Sequence, residues 1–119
     1  MKMNYFVFGT NDKQQAVSFY DGFFEDCGLT KIHDEGRMTL WAKEEFMFAV
    51  AEPFDGEVAS NGNGTMLGLN VDSSEEVDRL YEKALALGGI CEGKPTIRSG
   101  MYSAYIRDLD KNKICLYKK

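Results

Sequence analysis

The sequence predicts an α+β fold of two βαβββ modules, each a four-stranded mixed sheet curled around a cup with a helix on its outer face. Three observations carry this expectation. Strand-like and helix-like hydrophobic periods alternate in the same order twice along the chain. A capping box opens each helical stretch, Asp12 with Gln15 in the first half and Ser73 with Glu76 in the second. Finally, Tyr20 and Tyr81, and likewise Gly28 and Gly89, stand 61 residues apart, and the same shift lays Met66 on Tyr5.

In order, residues 4–10 predict a strand, because Tyr5, Phe6, Val7 and Phe8 are bulky β-formers and Gly9 with Asn11-Asp12 ends the run. The helix that follows shows one apolar face at Ala16, Phe19, Tyr20, Phe23, Phe24 and Cys27, and Gly28 is its expected stop. Residues 29–34, 38–42 and 46–51 predict three strands joined by hairpin turns at 35–37 and 43–45. Residues 52–64 are rich in turn chemistry and predict a binding loop or lid. The second half predicts a strand at 65–71, a helix at 74–87 and strands at 90–96, 101–107 and 113–118. Residues 1–119 are therefore expected to form a single domain, with module one at about 4–51 and module two at about 65–118.

Alternation within the strands divides the two faces. Phe6, Phe8, Phe46, Phe48, Val50, Leu67, Leu69, Val71, Ile114 and Leu116 are expected under the helices. The opposite parity holds Tyr5, Val7, Met47, Ala49, Met66, Gly68, Asn70, Cys115 and Tyr117, a mixed set suited to an accessible cavity. Trp41 and Tyr102, also 61 apart, and Phe54 in the loop suggest an aromatic clamp for a flat or cationic ligand, although core or interface packing explains the same residues. The expected ligand-binding set is thus Tyr5, Trp41, Met47, Ala49, Phe54, Met66, Asn70, Tyr102, Cys115 and Tyr117. Arg98 and Arg107 are further polar candidates, with Arg107 expected to pair with Asp108 or Asp110, and His33 reads as a solvated strand residue.

Composition removes several function classes. The net charge of −5 comes from 19 acids and 14 bases with no basic run, so nucleic acid is not an expected partner. No apolar stretch approaches the roughly 20 residues of a membrane span and no signal peptide precedes the first strand, so no membrane partner and a cytoplasmic location are expected. Cys27, Cys91 and Cys115 lack the close spacing of a zinc or dithiol site, and His33 is the lone histidine. No metal and no cofactor are expected.

Together the first strand with Asp12 and Phe19-Tyr20, the Gly64-Thr65 entry to the fifth strand, the helix from Val77 to Gly89, and Arg107-Asp108-Leu109-Asp110-Lys111-Asn112-Lys113-Ile114 resemble the vicinal oxygen chelate superfamily. This superfamily includes glyoxalase I, bleomycin resistance proteins, methylmalonyl-CoA epimerase and extradiol dioxygenases, and the resemblance covers nearly the whole chain. The last segment matches the family's Asp-Pro-Asp-Gly turn, with Leu109 in place of the proline and Lys111 in place of the glycine. The resemblance implies a homodimer and a small organic ligand. It also implies metal donors on the first, fourth, fifth and eighth strands, where this chain has Tyr5, Ala49, Met66 and Cys115. A phenol, a methyl, a thioether and a thiol make a poor donor set for a hard divalent ion.

The functional expectation is a metal-independent small-molecule binding protein of the glyoxalase and bleomycin-resistance type, with binding favoured over catalysis. One alternative is a glyoxalase-related lyase or isomerase using an atypical metal site or Cys115 as nucleophile, against which stands the frequency of buried, inert cysteines. Another is a structural or regulatory dimer with a filled cup.

Overall fold

The structure, a computed structural model, describes residues Met1–Lys119. The chain divides into two compact units, Met1–Ser60 and Asn61–Lys119, each a βαβββ module.

In the first unit the elements are β1 (Tyr5–Gly9), α1 (Lys13–Phe23), β2 (Thr30–Glu35), β3 (Met38–Lys43) and β4 (Phe46–Ala51). The strand order is β1-β4-β3-β2, with β1 parallel to β4 and the other pairs antiparallel. Asp12 caps α1 by accepting a hydrogen bond from the Gln15 backbone N–H at 3.1 Å. The helix ends at Phe23, ahead of the expected stop at Gly28. A turn intervenes, with Asp26 and Gly28 both at positive φ. The predicted apolar face is the one that packs: Ala16, Phe19, Tyr20 and Phe23 are buried, and the Tyr20 ring lies 4.7 Å from that of Phe48. Such ring pairs add about 0.5–1.5 kcal/mol beyond their area burial.

The second unit holds β5 (Leu67–Asn70), α2 (Ser74–Ala86), β6 (Ile90–Arg98), β7 (Met101–Arg107) and β8 (Lys113–Lys118), in the order β5-β8-β7-β6. Ser73 Oγ accepts from the Glu76 N–H at 3.0 Å to start α2. The core is Val77, Leu80, Tyr81 and Ala84 against Ala104, Ile106, Ile114 and Leu116, all buried. β5 is shorter than predicted because the Thr65 N–H closes a turn onto the Gly62 carbonyl. β6 is longer and runs through Pro95. It lies at the edge of its sheet with two register shifts, where a missing N–H is tolerated. After α2 the chain needs glycine, since a Cβ on Gly89 would meet the Ala84 oxygen at 2.8 Å and the Arg107 oxygen at 2.9 Å.

The turn before β8 is organised by Asp108, whose Oδ1 accepts from the backbone N–H groups of Asp110 and Asn112, each at 2.9 Å. Lys111 adopts φ +67°, the left-handed conformation for which glycine is the usual residue. Arg107 does not pair with either aspartate of this turn. Its Nε donates to Glu92 Oε1 at 2.6 Å and its Nη1 to the Lys111 carbonyl at 2.9 Å.

The expected curling of each sheet around a cup is corrected. Both sheets are open ladders whose end strands, β1 with β2 and β5 with β6, do not pair with one another. The reason is topological: the helical crossover sends β1 to one edge as the parallel partner of β4, while the hairpins walk β3 and β2 to the other edge. Closing a sheet on itself around side chains takes about eight strands, and four leave it open.

Candidate functional site: a pocket beneath residues 52–60

The first unit contains a pocket of about 400 Å³ between the ends of β1 and β4, the β2–β3 turn and the segment after β4. Its wall includes Val7, Arg37, Glu52, Phe54, Asp55 and Val58. The segment 52–60 is held down rather than loose. Asn11 clamps it through both amide atoms, donating to the Ala59 carbonyl at 3.1 Å and accepting from the Ala59 N–H at 2.7 Å. Gly9 permits this approach, because a Cβ there would lie 3.1 Å from that of Ala59. Within the segment, the Gly56 N–H bonds to the Pro53 carbonyl at 3.0 Å and Asp55 Oδ1 accepts from the Glu57 N–H at 2.9 Å.

Phe54 is 88% exposed and is the aromatic group of the pocket wall. The Arg37 guanidinium carbon lies 5.3 Å from the centre of its ring, within cation–π range. Arg37 is itself fixed, since its Nη1 donates to the Glu52 carbonyl at 3.1 Å and its backbone carbonyl accepts from the Glu52 N–H at 2.8 Å. The site thus combines an exposed aromatic surface, one anchored cation and the carboxylates of Glu52 and Asp55, a set suited to stacking and charge recognition.

Of the ten residues expected from sequence, Phe54 lines this pocket. Tyr5 pairs across to Met47, and Ala49 lies beside Val7, on the sheet face away from α1. Trp41 is placed differently from the expectation. It is opposite Phe48 in the β3–β4 register, so it points under α1, where it is 2% exposed and its Nε1 donates to Asp21 Oδ1 at 3.0 Å. Tyr102 likewise turns to the helix of its own unit, donating its hydroxyl to Asp78 Oδ1 at 2.6 Å. That bond, more than its modest burial, holds the Tyr102 phenol above its ordinary pKa. The expected clamp of Trp41 and Tyr102 is therefore taken apart by two helix-facing hydrogen bonds. In the second unit Met66 is exposed ahead of β5, Asn70 pairs with Tyr117, and Cys115 pairs with Gly68 and Tyr105. His33 is exposed on β2.

The four positions at which the resemblance implies metal donors, Tyr5, Ala49, Met66 and Cys115, do not fit a metal. Ala49 has no donor atom, and nowhere do three His, Cys, Asp or Glu side chains come together in a group that could hold an ion. Cys115 is buried, and burial pushes its thiol up against the opposing pull of Tyr105, Arg98 and Lys113. It is therefore a thiol rather than a thiolate at neutral pH, which disfavours nucleophilic chemistry. No disulfide links the three cysteines, and no helix is long and apolar enough to cross a membrane.

This architecture, two open βαβββ sheets with a pocket of aromatic and charged groups, defines a class that comparison with solved structures identifies. A glyoxalase/bleomycin resistance protein from Albidiferax ferrireducens T118 is 30% identical, with TM-score 0.89 and 98% of each chain covered. The chain belongs to the glyoxalase/bleomycin resistance protein family of the vicinal oxygen chelate superfamily. A glyoxalase-related enzyme from Fulvimarina pelagi shares the fold at 21% identity and TM-score 0.82, covering 99% of this chain and 88% of that one. A lactoylglutathione lyase from Agrobacterium tumefaciens shares it at 21% identity and TM-score 0.74, with 98% and 92% covered. No protein-family model matches the chain, and no curated protein matches it.

Proposed function

We propose that the chain is a metal-independent binding protein for a small, flat organic molecule, which it holds against Phe54 in the pocket of the first unit. The observation that carries this reading is the Phe54 ring, exposed to the pocket and set beneath an anchored guanidinium, in a protein whose family metal positions lack a donor set. Stacking on the ring supplies contact area, and Glu52 and Asp55 favour a ligand that carries positive charge. Sequestration needs shape and a few polar contacts but no reactive group.

The reading extends to a single domain over residues 1–119, supported by mutual coverage of 98% with the Albidiferax protein. It also includes a homodimer, which the family resemblance implies, and a cytoplasmic location, supported by three cysteines without a disulfide. The enzymatic alternative with Cys115 as nucleophile is weaker, because the thiol is buried and its pKa is raised.

Calorimetric titration with a panel of planar aromatic cations, neutral aromatics and aliphatic controls tests the proposal. At least one aromatic cation should bind with micromolar affinity, and Phe54→Ala should weaken it roughly tenfold, the equivalent of one cation–π or stacking contact. Absence of any binder tighter than about 1 mM would overturn the reading.

A further inference from the structure

The segment that walls the pocket of the first unit is fastened at its two ends, and the fastenings differ in kind. At its start the β3–β4 ladder, whose last pair is Met38 with Ala51, runs one step further: the Glu52 N–H donates to the Arg37 carbonyl at 2.8 Å. Arg37 adds its own Nη1 bond to the Glu52 carbonyl at 3.1 Å and sets its guanidinium over the Phe54 ring. At the far end the fastening is one side chain, Asn11, which accepts from the Ala59 N–H and donates to the Ala59 carbonyl.

Between these ends residues 54–58 are all exposed, and Val58, at 84%, is as bare as Phe54. The hydrogen bonds there close within the segment, from Gly56 to the Pro53 carbonyl and from Glu57 to Asp55. No buried apolar side chain therefore resists lifting of this stretch, which is the condition for local opening well below the cost of global unfolding. Beyond Ala59 the chain reaches Gly62 at φ +68° and Gly64 at φ +99°, positions that let the backbone re-aim.

We propose that residues 53–59 form a hinged strap, rooted at Glu52 and latched by Asn11 at Ala59, whose opening admits and releases the occupant of the pocket. What passes rests on the ligand reading above; the motion does not. Two neutral hydrogen bonds at a solvent-accessible latch favour the closed form by roughly tenfold to a hundredfold, leaving about 1–10% open. An occupant stacked on Phe54 meets that ring in its closed position and so holds the latch shut, and by reciprocity a weaker latch weakens binding. Asn11 is outside the pocket wall and acts on it through Ala59, as a positioning residue.

Nitrogen relaxation dispersion on the full chain without ligand tests the proposal. The amides of Phe54, Gly56, Val58 and Ala59 should share one exchange process on the microsecond to millisecond scale, while that of Val50 in β4 shows none. Asn11→Ala, folded by circular dichroism, should move the Phe54, Gly56 and Val58 amides toward the open-form shifts that the wild-type dispersion defines, although Asn11 bonds to none of them. Gly9→Ala gives a second route: its Cβ would lie 3.1 Å from that of Ala59, so it should crowd the latch and shift the same amides the same way, and adding Ala59→Gly should bring them back. A strap without exchange in the wild-type protein would overturn the proposal, as would shifts in Asn11→Ala confined to residues 9–12 and 59. Because every arm is read without ligand, failure of the strap to open and failure of aromatic cations to bind are separate results.

Discussion

The indole N–H of Trp41 donates to the carboxylate of Asp21 at 3.0 Å, tying β3 to the helix above it. Trp41 is also packed against Tyr20, Phe24 and Phe48, with ring centres 5.8–6.1 Å away. Trp41→Phe keeps a ring but removes the bond and some volume, so it should destabilise the protein by about 1–3 kcal/mol. Urea denaturation followed by circular dichroism measures this. As Trp41 is the one tryptophan and is buried, its emission in the wild-type protein should shift to the red only when the first unit unfolds.

Lys111 at φ +67° predicts a stabilising substitution. An L-residue in the left-handed region carries about 1–2 kcal/mol of strain, while glycine adds unfolded-state entropy of about 0.4–1 kcal/mol. Lys111→Gly should therefore raise stability by about 0.5–1 kcal/mol. An upward shift of the urea midpoint at constant slope checks it.

Gly89→Ala should act in the opposite direction. The added methyl would press on two backbone oxygens, those of Ala84 and Arg107, and neither can swing away as a side chain does. A loss of about 1–3 kcal/mol is expected. Gly36→Ala is the control, since it meets no atom within 4 Å and bears only the strain of its φ of +61°.

Stability should fall at both ends of the pH scale. The hydrogen bond from Arg79 lowers Glu76 from its ordinary 4.5, and that from Thr39 lowers Asp34 from its ordinary 3.8. Stability from a lowered carboxyl is complete above the ordinary value and is lost as pH falls through the folded one. Glu76→Gln should accordingly flatten part of the acid limb in pH-dependent urea melts.

At the alkaline end Tyr81 is pushed up to about 12, first by its hydrogen bond with Cys91 and then by burial. A raised phenol contributes stability that is complete below its ordinary value of 10.0 and is lost as pH rises toward the folded one. Tyrosinate absorbance should show two late-titrating phenols, Tyr81 and Tyr102, and Cys91→Ala should bring the Tyr81 step earlier.

Much of the fold was legible because the amphipathic periods were strong. The Phe19, Tyr20 and Phe23 face of α1 and the Phe6/Phe8 parity of β1 both follow from spacing alone. Spacing left Trp41 open between clamp and core because β3 reads Met-Thr-Leu-Trp-Ala-Lys, with apolar residues at both parities, and only its register with Phe48 decides the face. Phe54 was legible as a candidate because an aromatic in a turn-rich loop is conspicuous, and the structure places it in a pocket wall. Arg37 was not singled out because a hairpin-turn arginine is ordinary until its place over the Phe54 ring is seen. Arg98 was legible as a polar candidate, but its place 5.1 Å from the centre of the Tyr105 ring depends on Gly93, whose missing side chain shows nothing until β6 and β7 are paired.

The open sheets leave β2 as an unpaired edge, exposed along its whole length. A bare edge of this kind is a template on which another chain could polymerise. Here it is interrupted by the register shift at Ile32 and studded with Lys31, His33, Asp34 and Glu35, and Lys31 and Asp34 are drawn into ion pairs at the strand itself. The kink and the mixed charge make this border a poor seed for fibrils, so resistance to aggregation is built into the first module where an unclosed sheet needs it.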